Sequence, residues 1–283
     1  MDYLIKNYFS RCKVELSPYG FIRKNKVFVR AINDVVQILS IERLSFNREC
    51  RVGFSIIPLC LRIEKSYIIW GSYSRYLRRF EPAYGMLSSD SWEYDSLSEE
   101  SSCACLEEII RFLKQYLIPL YVRANCCSTA LSEVTEVDKI FRYNRELTLD
   151  TRGVENLADH APCVDYLDSP RYYMALKNGD YVLASKCRKA MLLQNLDSYN
   201  SFLANNPMFD SLVKSGRLTE EDKKMREESL LNRKKAIEIL KKEISHLETK
   251  DTGYFQQLTY ENEVYSRKVL ESMNLGFHED MLA

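Results

Sequence analysis

Histidine and glycine are scarce in this chain of 283 residues, three and nine respectively, and each shortage removes a class of chemistry. With His160, His246 and His278 as the only imidazoles, no Ser–His or Cys–His nucleophile is marked, because such a pair needs an oriented base within hydrogen-bond reach. His246 is expected on the exposed side of a long helix and His278 in a frayed C-terminal end, which leaves His160 with Cys163 as the one close His/Cys pair. Few glycines mean few places where backbone amides can approach a pyrophosphate, and no glycine-rich phosphate loop is present. The nine cysteines are Cys12, Cys50, Cys60, Cys103, Cys105, Cys126, Cys127, Cys163 and Cys187. Their number is odd, and those at 103, 105, 126 and 127 lack the paired C-x-x-C spacing and histidine partners of a tetrahedral zinc site. Buried thiols, no metal and no cofactor are therefore expected. Neighbouring carboxylates such as Glu99 and Glu100, or Glu107 and Glu108, diverge on a helix and read as solvated faces rather than as an acid/base pair.

Net charge is absent too. Forty basic residues balance forty acidic ones, so no overall field draws the chain to nucleic acid or to an anionic membrane. No run approaches the roughly 18 apolar residues that span a bilayer. The acid at position 2 and the charges interrupting "MDYLIKNYFSRCK" argue against a signal peptide. These features predict a cytoplasmic protein with reduced thiols and no membrane partner.

What the chain does have is core-forming material, 46% hydrophobic and 12% aromatic residues with 19 tyrosines, over a length that suggests two domains. Leu4, Ile5, Tyr8, Phe9 and Cys12 fall on one stripe and predict a helix from Tyr3 to Leu16, stopped by Pro18 and Gly20. Lys26 to Ala31 and Asp34 to Ile41 read as a hairpin turned at Asn33 and Asp34, and Arg51 to Ile57 as a third strand limited by Pro58. A short strand is expected around Trp92 and Tyr94. Leu106, Ile109, Ile110, Leu113 and Leu117 then predict a helix from Ser101 to Leu120 that Pro119 ends. Shorter helices are expected at Leu131 to Tyr143 and Val154 to His160.

From Ser169 onward the patterns are helical. Asn178 and Gly179 divide a helical hairpin spanning 170–204. Thr219 with Asp222 forms a capping signal for a helix reaching Glu248, with Leu230, Ile237, Leu240, Ile244 and Leu247 along a seam that Arg233 interrupts. After a turn at Asp251 to Gly253, the stripe Phe255, Leu258, Tyr265, Val269 and Met273 returns. The two rows are expected to pack against one another or against a second domain. The predicted fold class is α+β: an N-terminal helix on a small antiparallel sheet with further helices over 1–165, then an all-α region over 166–283 with a long antiparallel helix pair at 219–275.

The stretch "GFIRKNKVFVRAINDVVQILSIER" places polar residues inside strands. Gly20, Phe21, Arg23, Lys24, Phe28 and Arg30, followed by Val35, Val36 and Gln37, resemble a bacterial family known only as a domain of unknown function, with a "GFxRKGxxFxR" stretch and a "VVQV" strand. Arg78, Arg79, Asp90 and Trp92 match a later segment of that family, while Asn25 and Glu42 depart from it. The resemblance spans roughly 1–165, implies an α+β domain and brings no activity.

One constellation remains as a candidate ligand-binding site: Arg30, Gln37, Arg43, Arg78, Arg79 and Trp92. Arginine forks suit carboxylate or phosphate, glutamine an amide or base edge, and tryptophan a stacking face. The alternative is that Gln37 bonds backbone, the arginines pair with Asp34, Glu42 and the acidic segment from Glu81 onward, and Trp92 fills the core. With no catalytic motif in view, the expected role is a non-catalytic module that binds a protein partner, or a second copy of itself, through the C-terminal helices. Anionic-ligand or nucleic-acid binding on the arginine face is the second reading, and an enzyme with an unrecognised site the third.

Overall fold

Leu4, Tyr8, Phe9, Cys12 and Leu16 recur at helical spacing, and Tyr3–Leu16 forms α1 with all five buried. The computed structural model describes residues 3–44, 49–70, 75–81, 91–150 and 169–278; the expected helix at Val154 to His160 lies outside them. The fold is α+β, with α1 and further helices on a small antiparallel sheet, followed by an all-α region carrying a long helical hairpin. Two compact units emerge: residues 1–161 together with 257–283, and residues 162–256.

In the first unit β1 (Ile22–Lys24), β2 (Val27–Ile32), β3 (Val35–Arg43), β4 (Glu49–Pro58) and β5 (Arg75–Tyr76) lie side by side in that order. Strand β6 (Ser91–Glu93) extends β4, and β7 (Phe277–His278) pairs β2 in parallel. Asparagine closes both hairpins, with φ of 52° at Asn25 and 48° at Asn33, a left-handed conformation that asparagine tolerates better than branched residues. The turn at Asn25, and with it β1, carried too short a pattern to be read from the sequence. Strand β3 is buried on both faces from Val35 to Leu39 and emerges at Glu42 and Arg43. Pro58 is the last residue of β4 and pairs Val35, so its missing N–H falls at the strand end.

Pro119 does not end the helix that precedes it. α3 (Glu99–Phe112) passes through a π-helical turn at Leu113–Leu117 into α4 (Ile118–Arg123), and Pro119 occupies the first turn of α4, where no intrahelical donor is required. α5 (Cys127–Asp150) follows after three residues. Asp138 on α5 holds Arg75 of β5 at 2.9 Å, and Phe54, Phe80 and Phe141 cluster between sheet and helix.

The chain returns to this unit at its end. α10 (Thr252–Ser272) belongs to the second unit by its first turn and to the first from Gln257, a return not anticipated by a boundary at 165. Its deepest row there is Thr259, Asn262, Ser266 and Leu270 rather than the expected Leu258, Tyr265 and Val269, which are half-buried. The reason is the irregular stretch between β4 and α2 (Lys65–Trp70), whose backbone needs partners. Asn262 donates to the Cys60 carbonyl, while the Ser266 hydroxyl donates to the Leu61 carbonyl and accepts from the Ile63 N–H.

In the second unit α6 (Ser169–Lys177) and α7 (Tyr181–Ala204) meet at Asn178 to Asp180, with Gly179 at φ 71°. α8 (Asn206–Lys214) follows, and α9 (Glu220–Glu248) opens on a reciprocal cap between Thr219 and Asp222. α9 runs antiparallel to α7: Arg226 reaches the Phe202 carbonyl, Arg233 the Ser198 hydroxyl, Arg188 Glu243 and Lys189 Glu248. The expected seam is real, since Ile237, Leu240, Ile244 and Leu247 are buried, and α7 is the helix that it meets.

Arg188 and Glu243 are each 7% exposed and lie 2.6 Å apart, with the guanidinium 3.4 Å from the Tyr172 ring centre. Burial pulls the Glu243 carboxyl above its ordinary range despite the attraction of Arg188. Removing one partner leaves an uncompensated buried charge, so Glu243→Ala is expected to destabilise the unit by about 3–5 kcal/mol. Joint replacement by Arg188→Met and Glu243→Leu should cost far less, as chemical denaturation of the full chain will measure.

Candidate functional site

Gln37 is the third residue of β3, fully buried, opposite Arg30 on β2 and Ile56 on β4. Its amide nitrogen donates to the Tyr121 carbonyl at 2.7 Å and to the Ala124 carbonyl at 2.9 Å. These carbonyls close α4, where the last turn of a helix has no intrahelical donors left. A strand side chain thus caps a helix C-terminus. Tyr121 returns a bond in the other direction, its hydroxyl donating to the Ile38 carbonyl at 2.5 Å, and its burial holds the phenol well above the usual tyrosine range.

The neighbouring turn holds the start of α5. Asp34 Oδ1 accepts the Cys127 N–H at 2.8 Å, and the Asp34 carbonyl accepts the Leu59 N–H at 2.8 Å. Asn33 Nδ2 donates to the Asn125 carbonyl, and the Asn33 carbonyl accepts from Arg267 on α10. The β2–β3 turn therefore binds the segment after β4, the α4–α5 junction and α10.

The other candidate residues lie elsewhere. Arg43 is exposed at the far end of β3, six residues from Gln37 and so about 20 Å away along an extended strand. It pairs Cys50, which pairs Trp92 on β6, placing Arg43 and Trp92 in one cross-strand row. Trp92 is 1% exposed and packs edge-on to Phe112 at 5.4 Å, so it offers no open stacking face. Arg78 lies 5.4 Å from the Trp92 ring centre and 3.6 Å from Glu108, while Arg79 is exposed beside the Tyr76 ring. The set divides into a buried pair, Arg30 and Gln37, and a group around Trp92. Of the expected acidic partners, Glu108 from the later acidic segment lies beside Arg78.

Among the described residues no group of histidines, cysteines and carboxylates is placed to hold a metal ion. Cys12, Cys50, Cys60, Cys105, Cys127 and Cys187 are buried, and burial pushes the Cys12 thiol up to about 12. Cys126 is half-buried; burial raises it, but hydrogen bonds from Ser128 and Thr129 outweigh that and hold the thiol below its ordinary value. Cys126 serves as the residue before α5, its carbonyl accepting the Ala130 N–H. His246 is half-buried rather than exposed: it stacks on Tyr254 at 3.9 Å and bonds Asp251 at 3.0 Å, closing the α9–α10 turn. Cys163 and His160 fall outside the described residues.

A surface that sequence reasoning did not single out lies in the second unit. None of the residues from Lys189 to Ala236 is fully buried, although this span includes Leu193, Leu203, Met208, Met225 and Leu231, all exposed. The outer halves of α7 and α9 are joined mainly by arginine. Arg226 lies 4.1 Å from the Phe202 ring and 4.5 Å from the Phe209 ring, and its guanidinium also bonds Asn206. Two helices without a third layer cannot bury both of their apolar rows. No helix among the described residues is long and apolar enough to cross a membrane.

The capping role of Gln37 sets an expected energy. Gln37→Leu strands two buried carbonyls and should cost about 1–3 kcal/mol in urea denaturation, whereas Arg43→Ala, at an exposed strand end, should fall within about 0.5 kcal/mol of the parent. Comparison of the chain with known protein families, curated proteins and solved structures finds no match, so the resemblance noted around Gly20 to Gln37 rests on those residues alone.

Proposed function

We propose that the chain is a non-catalytic cytoplasmic interaction module whose α7–α8–α9 arm docks a partner helix, and that the partner is the same arm of a second copy. The observation that carries this reading is the span from Lys189 to Ala236, in which no residue is fully buried and Leu193, Leu203, Met208, Met225 and Leu231 are exposed. Exposed apolar side chains on a helix pair are covered when further helices pack on it.

Charge along α9 supports a second copy. Its first part carries Glu220, Glu221, Asp222, Glu227 and Glu228 against Lys223, Lys224 and Arg226. The rest of the helix carries Arg233, Lys234, Lys235, Lys241 and Lys242 against Glu238, Glu243 and Glu248, the last two taken up by Arg188 and Lys189 of α7. Two α9 helices in antiparallel place the acidic start of each beside the basic continuation of the other, the self-complementary arrangement that a two-fold interface requires. The Gln37 amide nitrogen, taken up by two helix carbonyls, and the covered ring of Trp92 fit a sheet that holds its helices rather than one that receives a ligand.

Light scattering coupled to size-exclusion chromatography should show the mass of the full chain rising toward that of a dimer as concentration increases. Leu193→Glu with Leu231→Glu, both at exposed positions, should hold the chain at monomer mass with its helical circular dichroism unchanged. A parent chain that stays monomeric at every concentration contradicts the reading, as does a variant that dimerises equally well.

A further inference from the structure

Residues 5–13 of α1 and residues 17–23, which end in β1, enclose a groove of about 960 Å³. Ile5, Phe9, Phe21 and Ile22 supply its apolar surface, and Lys6, Lys13 and Arg23 supply charge; no carboxylate lines it. In a chain whose charges cancel, this is a local concentration of one sign. Lys6 and Lys13 are two helical turns apart on α1, about 10 Å at the helical rise, and neither forms an ion pair among the described residues. Arg23 is held in the groove, its guanidinium 3.8 Å from the Phe9 ring centre and its Nε donating to the Asn25 carbonyl.

The wall opposite α1 runs from Ser17 to Arg23 and ends in the first two residues of β1, an edge strand. β1 is the outermost strand of the β1–β5 path, and no strand lies on its outer side among the described residues. Its register with β2 pairs Lys24 with Val27 across a two-residue turn. In that geometry the flanking pair shares the ladder hydrogen bonds, so the N–H and C=O of Arg23 point away from β2. A helix and an unpaired strand edge facing one another across an apolar floor form the setting in which an extended peptide adds as a further strand: main-chain bonds hold it and alternate side chains are read by the walls.

We propose that the α1–β1 groove binds an acidic extended peptide, which adds to the outer edge of β1 with its carboxylates toward Lys6, Lys13 and Arg23 and its apolar side chains on Phe21 and Ile22. The charge of the rim selects acidic side chains and the apolar floor selects their neighbours. Nucleic acid fits less well, because the Phe9 ring face that a base would stack on is covered by Arg23. This site lies in the first unit and is independent of the helical arm.

The test uses the full-length chain and a fluorescent peptide that alternates glutamate with valine, followed by anisotropy, with hydrogen exchange at Arg23 measured in the complex. The peptide should bind, the Arg23 amide should gain protection, and Lys6→Glu with Lys13→Glu should weaken binding by about tenfold or more. Both lysines are exposed, so the doubly substituted chain is expected to fold; Lys6→Gln with Lys13→Gln should show an intermediate loss. A peptide alternating lysine with valine should not bind. The proposal is overturned if the acidic peptide fails to bind, if charge reversal leaves its affinity unchanged, if an oligonucleotide of equal charge displaces it fully, or if Arg23 gains no protection.

Discussion

The first unit depends on the hydrogen bonds by which one hairpin and the strand after it hold the α4–α5 junction. A chain leaving one helix and entering another exposes carbonyls at the first end and amides at the second, and burying either without partners is costly. Here Gln37 serves the carbonyls of Tyr121 and Ala124, Asp34 serves the amide of Cys127, and Asn33 serves the carbonyl of Asn125. Because Gln37 sits on a central strand and Asn33 and Asp34 in the turn that leads into it, the junction fixes where α5 lies over the sheet, and with it Asp138 beside Arg75 and Phe141 beside Phe54. The polar row of α10 works by the same logic on the backbone between Cys60 and Ile63.

The second unit is held differently along its length. Near α6 it has a packed core that includes Ala184, Cys187, Ile237 and Leu240, with a buried ion pair setting the register of α7 against α9. Further out the core gives way to arginines lying on phenylalanine rings, contacts that tolerate water. The apolar residues that a third layer would cover are left exposed there.

Much of the fold was legible because periodicity reports burial. The stripe of α1, the β-branched runs of β2 and β3, the Thr219 cap and the α9 seam all follow from apolar patterning or a local cap, and the structure places them within a few residues of expectation. What escaped had no periodic signal. β1 and β7 are two or three residues long, and the π-helical turn before Pro119 is a backbone adjustment that leaves the apolar spacing intact. The buried row of α10 is polar because its partners are main-chain groups some 200 residues earlier. The candidate site was legible only in part: a glutamine among apolar strand neighbours signals that it must find partners, but sequence alone does not say that they are helix carbonyls. Likewise, nothing in the spacing of Arg30, Arg43 and Arg78 reveals that the strand axis separates them. The basic groove was hidden because Lys6, Lys13 and Arg23 come from two elements whose packing decides that they share it.

The direct measurement of the central claim is native-state hydrogen exchange in the parent chain and in Asp34→Ala. If the hairpin holds the junction, the Cys127 amide and the first turns of α5 lose protection in the variant while the centre of α3 keeps it, and Asp34→Asn, which retains an acceptor, restores most of the loss. Protection at Cys127 that is unchanged in Asp34→Ala would show that α5 is placed by its own packing alone and would contradict the account.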